Sequence, residues 1–422
     1  MKSVARNALY AQAGGATAVL NASAAAVIAE ARRHPGRIGK VFAARDGLLG
    51  ILAEDLVDTS RLTTTDLAGL ATMPGAIFGT CRAGLKTRSE DPRSWQRIVD
   101  VLAAHQIGYV FYNGGNGSSD TAQKLSEIAA HTGYPLCVVG VPKTIDNDIV
   151  GTDSCPGFGS AAKYVATGLR EAAMEVHSMA RTSTKVFVLE VMGRNAGWLT
   201  AACGLAAVKA GDAPHLLLFP EVTFNSQRFL AKVKETVIRK GFCVIAASEG
   251  IRRSDGSHVS ESTNRDSHGN PQLGGVAPYL ARLVTEKLGH KCHWAVADYL
   301  QRAGRHIASA TDLAHADAVG RAAVELALKG GNGIMPVIRR KSSLPYRWHI
   351  KTVQLSAIAV RERFLPASFM SADKWGISAR GRSYLSPLIE GEALPPFRHG
   401  LPAYPDLQFP SVPRRLGGFD IR

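Results

Sequence analysis

Apolar runs of strand length alternate with helix-period segments along most of this 422-residue chain. That alternation confines it to βαβ units and a mainly parallel sheet, the α/β class. Strands are expected at Asn7–Ala13, Gly108–Tyr112, Pro135–Val141, Lys185–Val191, His215–Phe219 and Phe242–Ala247. Helices are expected at Thr17–Arg33, Trp95–Gln106, Asp120–His131, about 158–180, Ala196–Lys209, Gln227–Lys240, Pro278–Leu288 and Asp317–Lys329. The length suffices for two domains of ordinary size, and no internal repeat is visible. The stretch after about residue 383 is rich in Pro and Gly and is expected to wrap over the body or contact another subunit.

The run Val141-Pro142-Lys143-Thr144-Ile145-Asp146-Asn147-Asp148 directly follows one of those strands. In open α/β sheets the carboxyl ends of strands are where ligands bind. Two carboxylates, a hydroxyl and a lysine therefore emerge together at that edge. Asp146 is suited to take a proton from an alcohol, and Lys143 to neutralise charge on a migrating phosphoryl group. The set reads as phosphoryl transfer to a sugar hydroxyl, although an Asx-rich turn would also produce Asp-Asn-Asp.

Three glycine-bearing loops offer backbone amides to phosphate. They are Gly14-Gly15, the stretch Gly75–Arg82, where Arg82 supplies a fork, and Asn113–Asp120 with Gly114, Gly115, Asn116, Gly117 and Ser118. None has the P-loop spacing, which needs a Lys directly after the second glycine. A formal net charge of +15 agrees with anionic ligands. The basic residues are scattered and not interleaved with aromatics, which argues against nucleic acid as partner. The six cysteines form neither a C-x-x-C pair nor a disulfide framework, so reduced thiols and a cytoplasmic location are expected. The uncharged stretch Asn7–Ala29 carries Gly14-Gly15, Asn21 and Ser23, too polar for a membrane span. His290-x-Cys292-His293 has no matching second half and is not read as a metal site.

Taken with Met192-Gly193-Arg194, Ser248-Glu249-Gly250 and Tyr299-Leu300-Gln301-Arg302, these motifs resemble the phosphofructokinase family, its pyrophosphate-dependent branch included, over roughly residues 5–330. The resemblance implies two doubly wound, Rossmann-like domains with the active site in the cleft between them. Residues 1–157, joined by about 301–382, would bind the phosphoryl donor; residues 158–300 would bind the sugar phosphate; residues 383–422 would form an extension. It implies that Asp146 deprotonates the 1-hydroxyl of fructose 6-phosphate, giving fructose 1,6-bisphosphate, with Thr144 and Asp148 flanking it. Met192, Gly193 and Arg194 would grip the sugar and the migrating group, Arg194 steadying transition-state charge. Glu249 would accept sugar hydroxyls, and Tyr299 and Arg302 would bind the 6-phosphate. Gly14, Gly15, Arg82, Gly115, Asn116, Gly117, Ser118 and Lys143 fall on the donor side. Mg2+ is the implied cofactor, at Asn116 and Asp148. Self-association, at least as a homodimer, is implied as well.

The chain departs from the family's pattern at several positions. Asn116 stands where many members carry an aspartate. Gly117 leaves open the space that pyrophosphate-type members fill with aspartate, whereas Lys143 is the residue of the pyrophosphate-dependent branch. The reading therefore favours pyrophosphate as donor, with ATP as the alternative and a non-catalytic, sugar-phosphate-binding paralogue as a third. Lys185 and His293 lie where arginines usually reach the sugar phosphate of a neighbouring subunit. A broader acceptor range, sedoheptulose 7-phosphate for example, is therefore open.

Overall fold

The computed structural model describes residues 5–265 and 271–421. Strands β1 (Arg6–Gln12), β2 (Ile38–Ala44), β3 (Leu56–Asp58), β4 (Ile107–Gly114) and β5 (Cys137–Pro142) come first along the chain. Then follow β6 (Val186–Val191), β7 (Leu216–Leu218), β8 (Cys243–Ser248), a short hairpin of β9 (Glu261–Arg265) and β10 (Pro271–Leu273), and β11 (Cys292–Val296). β12 (Ile334–Ser343) and β13 (Tyr346–Gln354) complete the two main sheets, and a short antiparallel pair, β14 (Phe397–Arg398) and β15 (Leu401–Pro402), follows. The main strands assemble into a seven-stranded sheet in the order β13-β12-β5-β4-β1-β2-β3 and a four-stranded sheet in the order β11-β6-β8-β7. The small sheet is parallel throughout. In the large one only the outer pairs β2–β3 and β12–β13 run antiparallel.

The central strands of the two main sheets are buried on both faces, which explains why their signals read as continuous apolar runs. On β1, Leu9 and Ala11 point into one core while Ala8 and Tyr10 point into the opposite one. β6 does the same, with Leu189 and Val191 on one side and Val186 and Val188 on the other. Each fully buried Leu, Val or Ile adds roughly 1.5–3 kcal/mol relative to exposure. Chain order reverses beside β1 in the large sheet and beside β6 in the small one, the two points where crevices open at strand ends.

The expected elements appear with shifted ends. One is much shorter than read: the helix expected over Ala196–Lys209 spans only Trp198–Cys203, followed by a single 3-10 turn to Ala206. The Asp212 carboxylate accepts the backbone N–H groups of Val208 and Lys209, offering them a local alternative to helix. β2, β3, β11 and the β12–β13 hairpin had no reading from periodicity.

The C-terminal segment wraps over the large sheet. Ser411 bridges Val57, Phe409 packs edge-on against Phe78, and the buried Glu54 carboxylate accepts the backbone N–H groups of Arg415 and Leu416. No helix among the described residues is long and apolar enough to cross a membrane.

One buried group makes the fold sensitive to acid. His315, fully buried on helix Ala310–Leu328, lies edge-on to Trp348, 4.7 Å between ring centres, and 3.2 Å from the Tyr346 hydroxyl. Burial, reinforced by the Arg340 charge, depresses its pKa to about 3. The unfolded chain takes up this proton below about pH 6.5, and the folded one does not. Stability is therefore expected to fall as pH drops from 6.5 towards 3, by up to ~1.4 kcal/mol per pH unit from this group. Denaturant titrations of His315→Gln should show a flatter pH slope over that window; an unchanged slope would assign the acid lability elsewhere.

Candidate active site

Apart from the Gly75–Arg82 loop, which follows helix Thr64–Leu70, each glycine loop and motif of interest leaves the carboxyl end of a strand. Gly14-Gly15 follows β1, Gly115–Ser118 follows β4, and Lys143–Asp148 follows β5. From the small sheet, Met192–Arg194 follows β6, Glu249 follows β8 and Tyr299 follows β11. The two sets face each other across a cleft of about 540 Å³, lined by every candidate catalytic, substrate, donor and metal residue read from the sequence except Gly193.

Crowding requires glycine at Gly114, where a Cβ would lie 2.1 Å from the Ser118 hydroxyl and 3.2 Å from the Ala13 carbonyl, while one at Gly15 would displace the end of the Arg302 side chain, 2.5 Å away. Helix Asn116–Thr132 starts directly after Gly115, so its free N–H groups and positive dipole end face the cleft. The loop carrying Arg82 is stitched to the first glycine loop: Gly14 N–H donates to the Cys81 carbonyl and the Thr80 hydroxyl to the Gly14 carbonyl.

Beneath these loops lies a buried amide network that no sequence pattern announced. Gln12 donates to Asn21 and accepts Phe78 N–H, Asn21 accepts Ile77 N–H, and Asn113 donates to the Tyr10 hydroxyl. It fixes the three phosphate-side loops relative to one another. Cys81, Tyr112, Thr121 and Asp298 also line the cleft without having been anticipated.

Lys143 is buried, and its ammonium donates to the Gly15 carbonyl. Withdrawal from water lowers its pKa to about 7, and the Arg302 and Arg82 charges add to the effect against the opposing pull of Asp146 and Asp148. Asp146 sits half-buried beside it, with its N–H donating to the Thr144 hydroxyl at 3.0 Å. Burial and the Glu249 charge push the Asp146 carboxyl above its usual range. Burial, Asp146 and Glu362 do the same to Asp148. Glu249 rises to about 6, mainly through burial.

Asn116 spends its amide N–H₂ on the Asp148 carboxylate at 2.7 Å. That leaves Asn116 Oδ1 and Asp148 Oδ1 buried with no hydrogen-bond partner among the described residues. Two such oxygens, neutral and anionic, fit a hard divalent cation that completes its shell with phosphate and water.

On the small-sheet side of the cleft, Gly193 lies behind the wall, where its carbonyl accepts the Ser248 hydroxyl at 2.5 Å. It shapes the loop and does not line the site. Gln301, quoted in the sequence only as part of its motif, accepts Met192 N–H and donates to the Asp298 carbonyl. It thereby ties the Met192 loop to the helix bearing Arg302, whose guanidinium stacks 4.1 Å over the Tyr299 ring. Lys185 is turned to its own chain, donating to the Ala180 carbonyl, while His293 is exposed on β11 at the sheet edge.

A phosphofructokinase family model matches residues 7–327. The chain belongs to the phosphofructokinase family. Within it, the pyrophosphate--fructose 6-phosphate 1-phosphotransferase of Methylococcus capsulatus is 52% identical over 412 residues, 98% of each chain. The crystal structure of a pyrophosphate-dependent phosphofructokinase from Nitrosospira multiformis superposes with a TM-score of 0.91 at 48% identity, covering 99% of this chain and 100% of that one. An ATP-dependent 6-phosphofructokinase of Nostoc sp. is 33% identical over 319 residues, 74% of this chain and 82% of that protein. The phosphofructokinase fold, with its two Rossmann-like halves, is thus the architecture of this family member.

Proposed function

We propose that this family member transfers a phosphoryl group from pyrophosphate to the 1-hydroxyl of fructose 6-phosphate. The observation that carries the donor assignment is Lys143, a buried ammonium on the donor side of the cleft, in a chain that matches pyrophosphate-using relatives over nearly their whole length. A lysine there supplies charge to a short polyanion that has no base or ribose to hold.

The donor phosphates lie against the N–H groups of Gly14-Gly15 and of the Asn116–Thr132 helix start, with Arg82 alongside. The 6-phosphate of the acceptor meets Arg302 and Tyr299, while Glu249 accepts sugar hydroxyls. This places O1 beside Asp146, which takes its proton, and the transferring group between Lys143 and Arg194. In-line transfer of this kind needs mainly positioning and neutralisation of the equatorial oxygens. A divalent metal, Mg2+ by the family's habit, would be held by Asp148 and the Asn116 amide oxygen and would neutralise donor phosphate charge. Residues 1–157 with about 301–382 would form the donor-binding unit, residues 158–300 the sugar unit, and a homodimer the working assembly.

One observation favours ATP as a second reading. A Cβ added at the exposed Gly117 would meet nothing within 4 Å, so the space beside the donor loop is open. The test is turnover of fructose 6-phosphate with Mg2+ and either pyrophosphate or ATP as sole donor. Turnover with pyrophosphate alone is expected; turnover with ATP alone would transfer the assignment to the nucleotide.

A steric prediction probes the acceptor side. A Cβ at Gly250 would lie 1.9 Å from the Arg194 carbonyl and 2.7 Å from that of Gly193. Gly250→Ala must push the Met192–Arg194 loop outward. An increase of roughly tenfold or more in the KM for fructose 6-phosphate is expected, ~1.4 kcal/mol. Initial-rate measurements check it, and an unchanged KM would remove that loop from the sugar site.

A further inference from the structure

The segment that follows β13 contains a contact outside the region matched by the family model. Arg363 reaches the turn that carries the two central aspartates. Its Nε and Nη2 both donate to the Asn147 carbonyl, at 3.1 and 2.8 Å. Its Nη1 donates to the carbonyls of Thr152 and Asp153, at 2.8 and 3.1 Å. Its own backbone N–H donates to the Asp148 carbonyl at 2.7 Å. One arginine thus holds four carbonyls of the loop that begins at the catalytic run.

Asn147 has a φ of +53°, in the left-handed region that asparagine enters more readily than other residues with a Cβ, so the turn is one this residue suits and Arg363 secures. The Asn147 side chain helps by accepting Cys155 N–H at 2.9 Å. The peptide that Arg363 grips joins Asn147 to Asp148, one residue beyond Asp146. Its orientation therefore sets where both carboxylates point.

The other end of the contact lies on the sugar side. The guanidinium stacks 4.3 Å over the Trp198 ring, and the Trp198 indole N–H donates to the Arg363 carbonyl at 2.9 Å. The neighbouring Glu362 accepts both contacts of the Asn195 amide, at 3.1 and 2.9 Å. Asn195 is the residue after Arg194. The dipeptide Glu362-Arg363 therefore ties the aspartate turn of the large sheet to the segment immediately following Arg194 of the small one.

We propose that Arg363 is a positioning residue for phosphoryl transfer, fixing the Asp146–Asp148 turn against the Arg194 loop through the Asn147 carbonyl. This rests on the reading that Asp146 and Arg194 act on the migrating group. A planar fork stacked on an aromatic ring suits the task, and lysine cannot replace it because one ammonium cannot span three carbonyls in fixed directions. Misplacement of reacting groups by about 1 Å costs about a hundredfold in rate.

The experiment compares Arg363→Lys and Arg363→Ala with the parent, using whichever of pyrophosphate or ATP the parent accepts. A wrong donor assignment therefore does not disturb it. For Arg363→Lys we expect kcat to fall about 10- to 100-fold, with the KM of donor and sugar phosphate changed less than about threefold and the melting temperature nearly kept. Millimolar guanidinium added to Arg363→Ala should restore part of kcat, with at most a small rise in melting temperature from its binding. A kcat of Arg363→Lys within about twofold of the parent would overturn the proposal. So would a loss expressed wholly in KM, or one that tracks melting temperature. If the alanine variant does not fold, the lysine variant alone decides.

Discussion

Asp146→Asn is expected to lower kcat by about 10³-fold, within the range of 10² to 10⁴ for removing a positioned general base, while leaving the KM for fructose 6-phosphate nearly unchanged. The amide keeps the size of the side chain, and the hydrogen bond from the residue 146 backbone N–H to the Thr144 hydroxyl survives the change. What disappears is the ability to hold a proton. Burial and the Glu249 charge raise the Asp146 carboxyl above its usual range, which suits it to the proposed role of base. The same crowding predicts a structural signature. Removing one of several mutually repelling, poorly solvated carboxylates relieves the others, so the melting temperature should stay level or rise. Steady-state kinetics with thermal denaturation separate the two effects. A kcat within tenfold of the parent would place the base elsewhere, with Asp148 the obvious candidate.

The site was far more legible in the sequence than the details that hold it. Loops that leave strand ends are readable because apolar runs mark the strands and glycines mark the turns; β1, β4 and β5 delivered three of the four donor-side motifs this way. Short or solvent-edged strands left no such trace. β3 has only three residues, and β11 alternates irregularly between half-buried and exposed positions, including an exposed Trp294. The amide network under the donor loops was unreadable for a different reason. Gln12, Asn21 and Asn113 look like ordinary polar residues until the fold brings them within hydrogen-bond reach of distant backbone. Arg363 is the extreme case: it acts on carbonyls more than two hundred residues away, and carbonyls have no sequence signature. The helix expected to run to Lys209 failed because Asp212, four residues past Val208, competes for the backbone, which a periodicity count does not weigh.

Lys143→Met is expected to lower kcat/KM for pyrophosphate by about 10² to 10³, the cost of removing one preorganised charge donor from a water-poor site. Burial, and after it the Arg302 and Arg82 charges gathered in the same cleft, hold the Lys143 ammonium only weakly, with a pKa of about 7. A bound polyanion reverses the balance, because an opposite charge within a few ångströms favours the protonated form. Pyrophosphate binding above pH 7 should therefore take up a proton, measurable as a buffer-dependent heat in calorimetry. The parent should show that uptake and Lys143→Met should not. The sign carries through to kinetics: kcat/KM, which reports the free enzyme, should rise with pH as Asp146 ionises and decline above about 7 as Lys143 loses its proton. Lys143→Met should lose the descending limb and keep the ascending one. A methionine variant that retained both limbs would show that another group governs donor capture. A variant whose pyrophosphate turnover matched the parent would leave the open space at Gly117 as the feature that decides the donor.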